Sequence, residues 1–175
     1  MLHRIRKWLF YRAFNLQDKK KVQRHGQVNP MRSVCILFDG TGEAQRKQVH
    51  QFKKAINKDG LTEVKSLAFV NNRLPLDNVD YAAYNLKDVN WYGVPSGERV
   101  QSFIRYDYDL MVILCKKMLP HYEYIIAHSE AQFKVGPAIT RAEHYFDLIV
   151  DLPESKDTGA LINNIMKAVS LVAVK

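Results

Sequence analysis

Several features that would assign this sequence to a definite class of protein are scarce or missing. The 175 residues include only two cysteines, Cys35 and Cys115, each inside an apolar run and neither in a Cys-x-x-Cys pair. This usage excludes a disulfide framework and favours buried thiols in a reducing compartment. No run reaches the ~18 apolar residues that span a bilayer, and Arg12 cuts the first apolar stretch too short for a signal peptide. We therefore expect a cytoplasmic protein.

Motifs of common enzyme classes are missing as well. The sequence has neither G-x-G-x-x-G nor a P-loop lysine. Residues 36–41 are similar to the D-x-D-G-T motif of haloacid-dehalogenase-type phosphatases, but Leu37 replaces the nucleophilic aspartate. The His-x-Glu pairs at His121 and His128 lack the P-C-x-x-C half of a zinc deaminase, so we interpret them as surface histidines of a helix. Ser129 lacks the G-x-S-x-G elbow, and we expect no catalytic residue, metal or cofactor.

Acidic residues are nearly absent from residues 1–32, which we call the basic arm. The arm holds one acid, Asp18, against nine basic residues: Arg4, Arg6, Lys7, Arg12, Lys19, Lys20, Lys21, Arg24 and Arg32. Residues 33–175 hold 17 basic and 17 acidic residues, so the net charge of +8 lies entirely in the arm. An excess of this kind attracts polyanions.

The arm divides into a predicted helix and a linker. Residues 2–16 carry apolar residues at helical spacing, and residues 17–32 are polar, basic and broken by Gly26 and Pro30. One interpretation docks the stripe of Leu2, Ile5 and Leu9 on the rest of the protein. In the other, aromatic and basic side chains contact RNA or an anionic membrane. The residues that we expect to meet such a partner are Arg4, Lys7, Arg12, Lys19, Lys20, Lys21 and Arg24.

Residues 33–175 read as one domain in which strands and helices alternate. The patterns predict strands at 34–38, 63–70, 81–84, 108–114, 133–136 and 146–152, and helices at 43–58, 98–104, 117–130 and 157–173. The continuous apolar run at 34–38 is typical of a parallel strand buried on both faces. We therefore predict an α/β domain with a doubly wound, mostly parallel Rossmann-like sheet behind an N-terminal basic helical arm.

Two short segments follow predicted strands and are candidates for holding a phosphate-bearing ligand. Backbone N–H groups at a strand-to-helix turn bind anions, and open parallel sheets bind ligands at the carboxyl ends of their strands. The candidates are Asp39, Gly40, Thr41 and Gly42 in the first segment and Lys116 and Lys117 in the second. The alternative is a tight turn with a solvated helix start. Asp109 and Asp147 open their strands, so we interpret them as capping groups.

The pattern Ser-x-Ala-x-Phe-Lys-Val-Gly at residues 129–136 carries a resemblance. Together with residues 90–93, 108–112 and 146–150, it resembles a family of uncharacterised bacterial proteins of about this length, which also have a basic N-terminal segment. That resemblance implies a fold but no activity. The order of aromatic-Asp-Leu strand, helix and Ser-x-Ala also resembles the N-terminal Rossmann-like half of heptosyltransferase-type glycosyltransferases. Those enzymes need a second domain, so this likeness concerns architecture.

These observations favour a non-enzymatic binding protein whose basic arm contacts an anionic partner, either nucleic acid or the inner face of a membrane. The alternative is an enzyme or sensor that binds a phosphate-bearing small molecule at the carboxyl ends of the strands.

Overall fold

The structure, a computed structural model, describes residues 5, 6, 10, 32–76, 81–155 and 157–173. Its strands are β1 Ser33–Asp39, β2 Glu63–Val70, β3 Ala83–Asn85, β4 Leu110–Leu114, β5 Phe133–Pro137 and β6 Leu148–Val150. Its helices are α1 Glu43–Ile56, α2 Glu98–Arg105, α3 Pro120–His128 and α4 Thr158–Ala173, with a short 3-10 helix at Ala142–His144.

The six strands form one parallel sheet in the order β3-β2-β1-β4-β5-β6. This is the order of a doubly wound Rossmann-like sheet, so the predicted fold class is confirmed. The chain leaves β1 toward β2 and later returns to place β4 on the other side of β1. Phe38 of β1 lies opposite Leu114 of β4, and the point where strand order reverses lies between these two strands.

Helices cover both faces of the sheet, and the central strand β4 is apolar throughout for that reason. Side chains of β1 alternate: Cys35 and Leu37 join the core under α2 and α3, while Ile36 and Phe38 join the core under α1 and α4. Phe52 of α1 is buried in this second core, as the predicted stripe requires. The thiol of Cys35 is buried, and burial raises its pKa.

The motif at residues 129–136 serves the fold. Lys134 Nζ donates to the carbonyl oxygens of Ile126 and Ser129 at 2.8 and 2.9 Å, where α3 ends. A Cβ on Gly136 would lie 2.6 Å from the ring of Phe146, so only glycine fits under this ring. The lysine of the motif therefore satisfies carbonyl groups at the C-terminus of α3, and the glycine of the motif allows Phe146 to pack directly on β5.

Asp109 and Asp147 cap the amino ends of strands, as predicted. Asp109 Oδ2 accepts hydrogen bonds from the backbone N–H groups of Arg32 and Ser33, both at 2.8 Å. Burial opposes ionisation of this carboxyl, but these hydrogen bonds outweigh it and hold the pKa below its usual range. Asp147 Oδ2 accepts from the N–H of Lys134 at 2.8 Å.

Some element boundaries differ from those predicted. Helix α3 begins at Pro120 rather than residue 117, since proline favours the first turn of a helix. The helical spacing of residues 117–130 predicts that Leu119 faces inward with Tyr122, Ile125 and Ile126, whereas Leu119 precedes the helix and is exposed. The strand predicted at 146–152 is shortened to β6, which pairs with only three residues of β5. Among the described residues, no helix is both long and apolar enough to cross a membrane.

Candidate functional site

The carboxyl edge of the sheet brings the two predicted ligand segments together. Asp39 ends β1, and Lys116 and Lys117 follow β4 by two and three residues. Because β1 and β4 are neighbours, the loop 39–42 and the lysine pair follow adjacent strands at the same edge of the sheet, where the strand order reverses. In folds of this type, ligands bind in the crevice at that point. Sequence reasoning identified these segments separately, and their juxtaposition follows from the sheet order.

Most polar groups of the loop 39–42 bond within the protein. The N–H of Gly40 donates to the Phe69 carbonyl at 2.8 Å, and the N–H of Thr41 donates to Asp39 Oδ1 at 3.0 Å. Thr41 Oγ1 accepts from the N–H of Asn71 at 2.9 Å. Two of the N–H groups that could cradle a phosphate are thus already engaged, as in a tight turn. Gly42 precedes α1, and no side chain caps this helix start.

Arg46 holds the loop 39–42 in place. The sequence patterns did not identify this arginine as part of the candidate site. Its Nη1 donates to the carbonyl oxygens of Gly40 and Thr41 at 2.6 and 3.0 Å. The spacing of Arg46 from Gly42 could have predicted this contact. Arg46 lies one helical turn beyond Gly42, and its side chain reaches back toward the N-terminus of α1. The site therefore contains a third cation besides the two lysines.

Asp157 lies within electrostatic reach of Lys116. It caps α4, accepting from the N–H of Ala160 at 2.9 Å and from Gln48 Nε2 at 3.1 Å. The Gln48 hydrogen bond is the main reason that the pKa of Asp157 is below its usual range, and the charge of Lys116 also lowers it. Lys116 is half-buried, whereas Lys117 is exposed. Lys117 is thus the more accessible of the pair.

His121 is buried, so its interpretation as a surface residue was wrong. Only 6 % of the residue is exposed, and its Nδ1 lies 2.8 Å from the Tyr84 hydroxyl. Its ring lies against Phe69, with 4.2 Å between centroids. Burial lowers the His121 pKa to about 4, although the Asp39 carboxylate partly opposes this shift. His121 lies four residues before the buried Ile125, so the two residues share one face of the helix. This spacing could have predicted that His121 is buried.

The described residues hold no group of three histidine, cysteine or carboxylate side chains positioned to bind a metal ion. His128, the other predicted surface histidine, is half-buried. Its Nδ1 lies 2.9 Å from the carbonyl oxygen of Tyr124, and its ring stacks on that of Tyr124 at 4.1 Å. Both histidines therefore pack within the fold.

Phe10 fixes part of the basic arm beside this edge. Phe10 is 2 % exposed, and it lies with Pro120 around Gly93, whose φ of 101° and close packing require glycine. Ile5 was predicted to lie on the docking stripe, yet it is 47 % exposed. Among the described residues of the arm, Phe10 is the buried one, and its neighbours Gly93 and Pro120 come from distant parts of the chain. The predicted partner-binding residues of the arm lie outside the described residues: Arg4, Lys7, Arg12, Lys19, Lys20, Lys21 and Arg24.

Two cavities open elsewhere on the described part of the chain. One of about 380 Å³ lies at the carboxyl end of β3, between Leu74 and Arg99. The other, of about 340 Å³, is a groove between α1 and α4 beside Phe52 and Met166. Neither is lined by the loop 39–42 or by the lysine pair.

Comparison with known sequences places the chain in a family. No curated protein and no solved structure matches it. The sequence profile of a family of unknown function, DUF6913, matches residues 6–170, a range that includes most of the basic arm as well as the sheet. The chain belongs to the DUF6913 family.

Proposed function

We propose that this protein binds an anionic partner through its basic arm and does not transform it chemically. The observation that carries the proposal is the charge distribution: nine basic residues and one acid in residues 1–32, against a balanced remainder. A local excess of this size attracts polyanions and depends steeply on salt.

The position of Phe10 supports this proposal. Phe10 is buried beside Gly93 and Pro120, so this residue of the arm packs on the rest of the protein where α3 begins. The family match, which begins at residue 6, is consistent with an arm that belongs to the same unit as the sheet.

The roles of the polar groups at the edge support a binding function over a catalytic one. Asp39 accepts a hydrogen bond from its own turn, and Asp157 caps α4. His121 pairs with Tyr84 in the core and has a lowered pKa, so its neutral form predominates at pH 7. These three side chains therefore have structural roles among the described residues.

A charge-matched pair of full-length variants tests the proposal. The arm variant replaces four residues by glutamine: Lys19, Lys20, Lys21 and Arg24. The control replaces four exposed lysines of the neutral body by glutamine: Lys54, Lys58, Lys87 and Lys167. Both variants have the same net charge, so only the position of the lost charge differs. Deleting the whole arm would be less informative, because it also removes the buried Phe10.

Binding is measured on single-stranded RNA and on phosphatidylserine vesicles over a range of salt concentrations. If all four residues contact phosphates, the arm variant lowers the slope of log K against log salt by about 3 on RNA. On vesicles, each lost charge weakens binding by ~1 kcal/mol. The control stays close to wild type. Equal losses in both variants, or no binding to either probe by the wild type, would contradict the proposal.

A second candidate function is the binding of a phosphate-bearing small molecule at the carboxyl edge. The observation that favours it is the strand order, because the two predicted segments follow the adjacent strands β1 and β4 where this order reverses: Asp39, Gly40, Thr41 and Gly42 after β1, and Lys116 and Lys117 after β4. A thermal-shift screen of nucleotides and sugar phosphates tests it, because a ligand at a hundredfold excess over its Kd stabilises by about 2.7 kcal/mol. A hit that is lost in Lys116→Gln and kept in Lys87→Gln supports this site, and a screen without hits counts against it.

We further propose a cytoplasmic location, peripheral at the inner face of the membrane. Cys35 and Cys115 are free and buried, which is typical of proteins from reducing compartments. The bacterial origin of the protein and its likeness to heptosyltransferases, both expected from the sequence, stay predictions.

A further inference from the structure

A groove runs between α1 and α4, which pack on the same face of the sheet. Phe52 of α1 and Ile165 of α4 belong to one core. Gln48 Nε2 of α1 donates to Asp157 Oδ1, just before α4, at 3.1 Å. The groove has a volume of about 340 Å³. Its lining includes Gln51, Phe52 and Ile56 of α1 and Ile162, Asn163 and Met166 of α4.

The floor of the groove is apolar. Phe52 and Ile162 are 5 % and 8 % exposed, so they belong to the core of the protein. Met166 is 41 % exposed and Ile56 is half-buried, and these two side chains line the same groove. A concave apolar surface between two helices is a common site for the apolar face of another helix.

Lysines flank the groove on both helices. On an α-helix, residues three and four apart are neighbours on the surface. Lys47 and Lys54 are therefore neighbours of Gln51 on α1, and Lys167 is a neighbour of Asn163 on α4. All three lysines are exposed. An apolar floor with basic rims on both sides favours an occupant that is apolar on one face and acidic beside it.

The helices on this face of the sheet are positively charged, whereas those on the opposite face are balanced. Helix α1 carries four lysine or arginine residues and one acidic residue, and α4 carries one lysine and no acidic residue. Helices α2 and α3 together carry two arginines and two acidic residues. The acidic residue of α1, Glu43, forms an exposed ion pair with Lys47, and such pairs contribute little energy.

We propose that the groove between α1 and α4 binds an acidic amphipathic helix of a partner protein. The apolar face of that helix packs on Phe52, Ile162 and Met166, and its carboxylates lie beside Lys54 and Lys167. Exposed ion pairs contribute little to affinity. The apolar face therefore supplies most of the binding, and the lysines select the charge of the partner. This site is separate from the basic arm and goes beyond the function proposed for it.

The dimensions and the charge of the groove distinguish this occupant from others. The groove extends along α1 from Gln48 to Ile56, a length of about 12 Å that accommodates about two turns of a helix. The basic arm has nine basic residues and one acid, so its charge matches the rims in sign and disfavours it as the occupant. A second copy of the chain would bring the same lysines together. A bilayer is flat and does not enter a groove.

Binding of a designed peptide to the full-length protein tests this inference. The probe is a fluorescein-labelled helix of about five turns, with leucine at i, i+3, i+4 and i+7 and glutamate at the remaining positions, which we call the striped peptide. One control peptide has the same composition in scrambled order, and the other has lysine in place of glutamate. The scrambled peptide measures the attraction of the basic arm for any acidic chain. We expect the striped peptide to bind most tightly in fluorescence anisotropy.

Met166→Glu and Leu171→Glu are matched variants of α4. Met166 lines the groove, whereas Leu171 is 75 % exposed and does not. Both substitutions change the net charge equally. We expect Met166→Glu to weaken binding of the striped peptide by about tenfold, because it places a carboxylate in the apolar groove. Leu171→Glu is expected to stay within about twofold of wild type.

The control variant of the arm experiment gives a further comparison, because it lacks Lys54 and Lys167. It is expected to bind the striped peptide more weakly than wild type while its binding to RNA and vesicles is kept. The arm variant is expected to keep the preference for the striped peptide over the scrambled one.

A methyl signal in NMR spectra reports on the groove without a substitution in it. The chain has five methionines, and the Met166 methyl signal is identified by its absence in Met166→Leu. We expect this signal to shift with the striped peptide and to stay unchanged with both control peptides and with phosphatidylserine vesicles.

Three results would overturn the inference. One is equal binding of the striped peptide by Met166→Glu and Leu171→Glu. Another is binding of the scrambled or the lysine peptide as tight as that of the striped peptide. The third is a Met166 methyl signal that responds to vesicles instead of the striped peptide, which would identify a bilayer as the occupant. Each result leaves the proposed function standing, because that function is tested through the arm variant.

Discussion

The Tyr84 hydroxyl lies 2.8 Å from Nδ1 of His121, beneath the carboxyl edge of the sheet. This pair joins β3 to the first turn of α3 across the core that also contains Phe69. Burial raises the pKa of Tyr84 and lowers that of His121. Both side chains are therefore neutral at pH 7, and their hydrogen bond stabilises the core on which the edge is built.

The lowered pKa of His121 predicts a pH dependence of stability. An unfolded histidine has a pKa near 6.5, and the folded value is about 4. Between these values the unfolded state binds the additional proton, so stability is present above about pH 6.5 and is lost as the pH falls toward 4. Over this interval, wild type should lose about 3 kcal/mol more in free energy of unfolding than His121→Gln.

Denaturant titrations from pH 7 to pH 4 measure this difference. His50→Gln is the matched control, because His50 is exposed on α1. A pH dependence of His121→Gln equal to that of wild type and of the control would contradict the assignment of His121 as a buried neutral group.

Sequence patterns predicted the sheet well, because strands that are buried on both faces, such as β1 and β4, are continuous apolar runs in the sequence. They failed at His121, whose environment is made by Phe69 and Tyr84 from strands far away in the chain. They failed for Leu119 because Pro120 sets the start of α3. Periodicity describes one element at a time, and these outcomes depend on contacts between elements.

The arm shows the same limit. Its helical spacing put Ile5 on the stripe that one interpretation docks on the rest of the protein, whereas Ile5 is exposed and Phe10 lies beside Gly93 and Pro120. The ligand segments at 39–42 and 116–117 were identified from strand ends alone. That they follow adjacent strands depends on β1 and β4 being neighbours, a property of the strand order rather than of either segment.

Docking of the arm predicts that Phe10 contributes to the stability of the whole protein. Phe10→Ala should lower the free energy of unfolding by about 3 kcal/mol, the range for removal of a buried phenylalanine. Ile5→Ala, on the same arm but 47 % exposed, should change it by less than about 0.5 kcal/mol. Urea denaturation compares the two variants, and equal effects would show that the arm does not dock through Phe10.

Lys134 is predicted to stabilise the fold through its hydrogen bonds at the end of α3. Lys134→Met removes the donors to the carbonyls of Ile126 and Ser129, so it should cost about 1–3 kcal/mol. The exposed Lys54→Met is the control. A Lys134→Met variant as stable as this control would contradict the structural role of Lys134.

Gly136 and Phe146 should be energetically coupled. A Cβ at Gly136 would lie 2.6 Å from the Phe146 ring, so Gly136→Ala should destabilise by about 1–3 kcal/mol through overpacking. Combined with Phe146→Leu, which removes the clashing ring, its additional cost should fall. A double-mutant cycle measures this coupling, and additive effects would exclude the contact as the reason for glycine.

The most direct test of the account is the salt dependence of binding by the full-length protein, its arm variant and the charge-matched body variant. If the basic arm carries the function, the variant lacking Lys19, Lys20, Lys21 and Arg24 binds RNA or phosphatidylserine vesicles more weakly and with a shallower salt slope, while the body variant behaves as wild type. Equal binding and equal slopes for all three proteins would contradict the account.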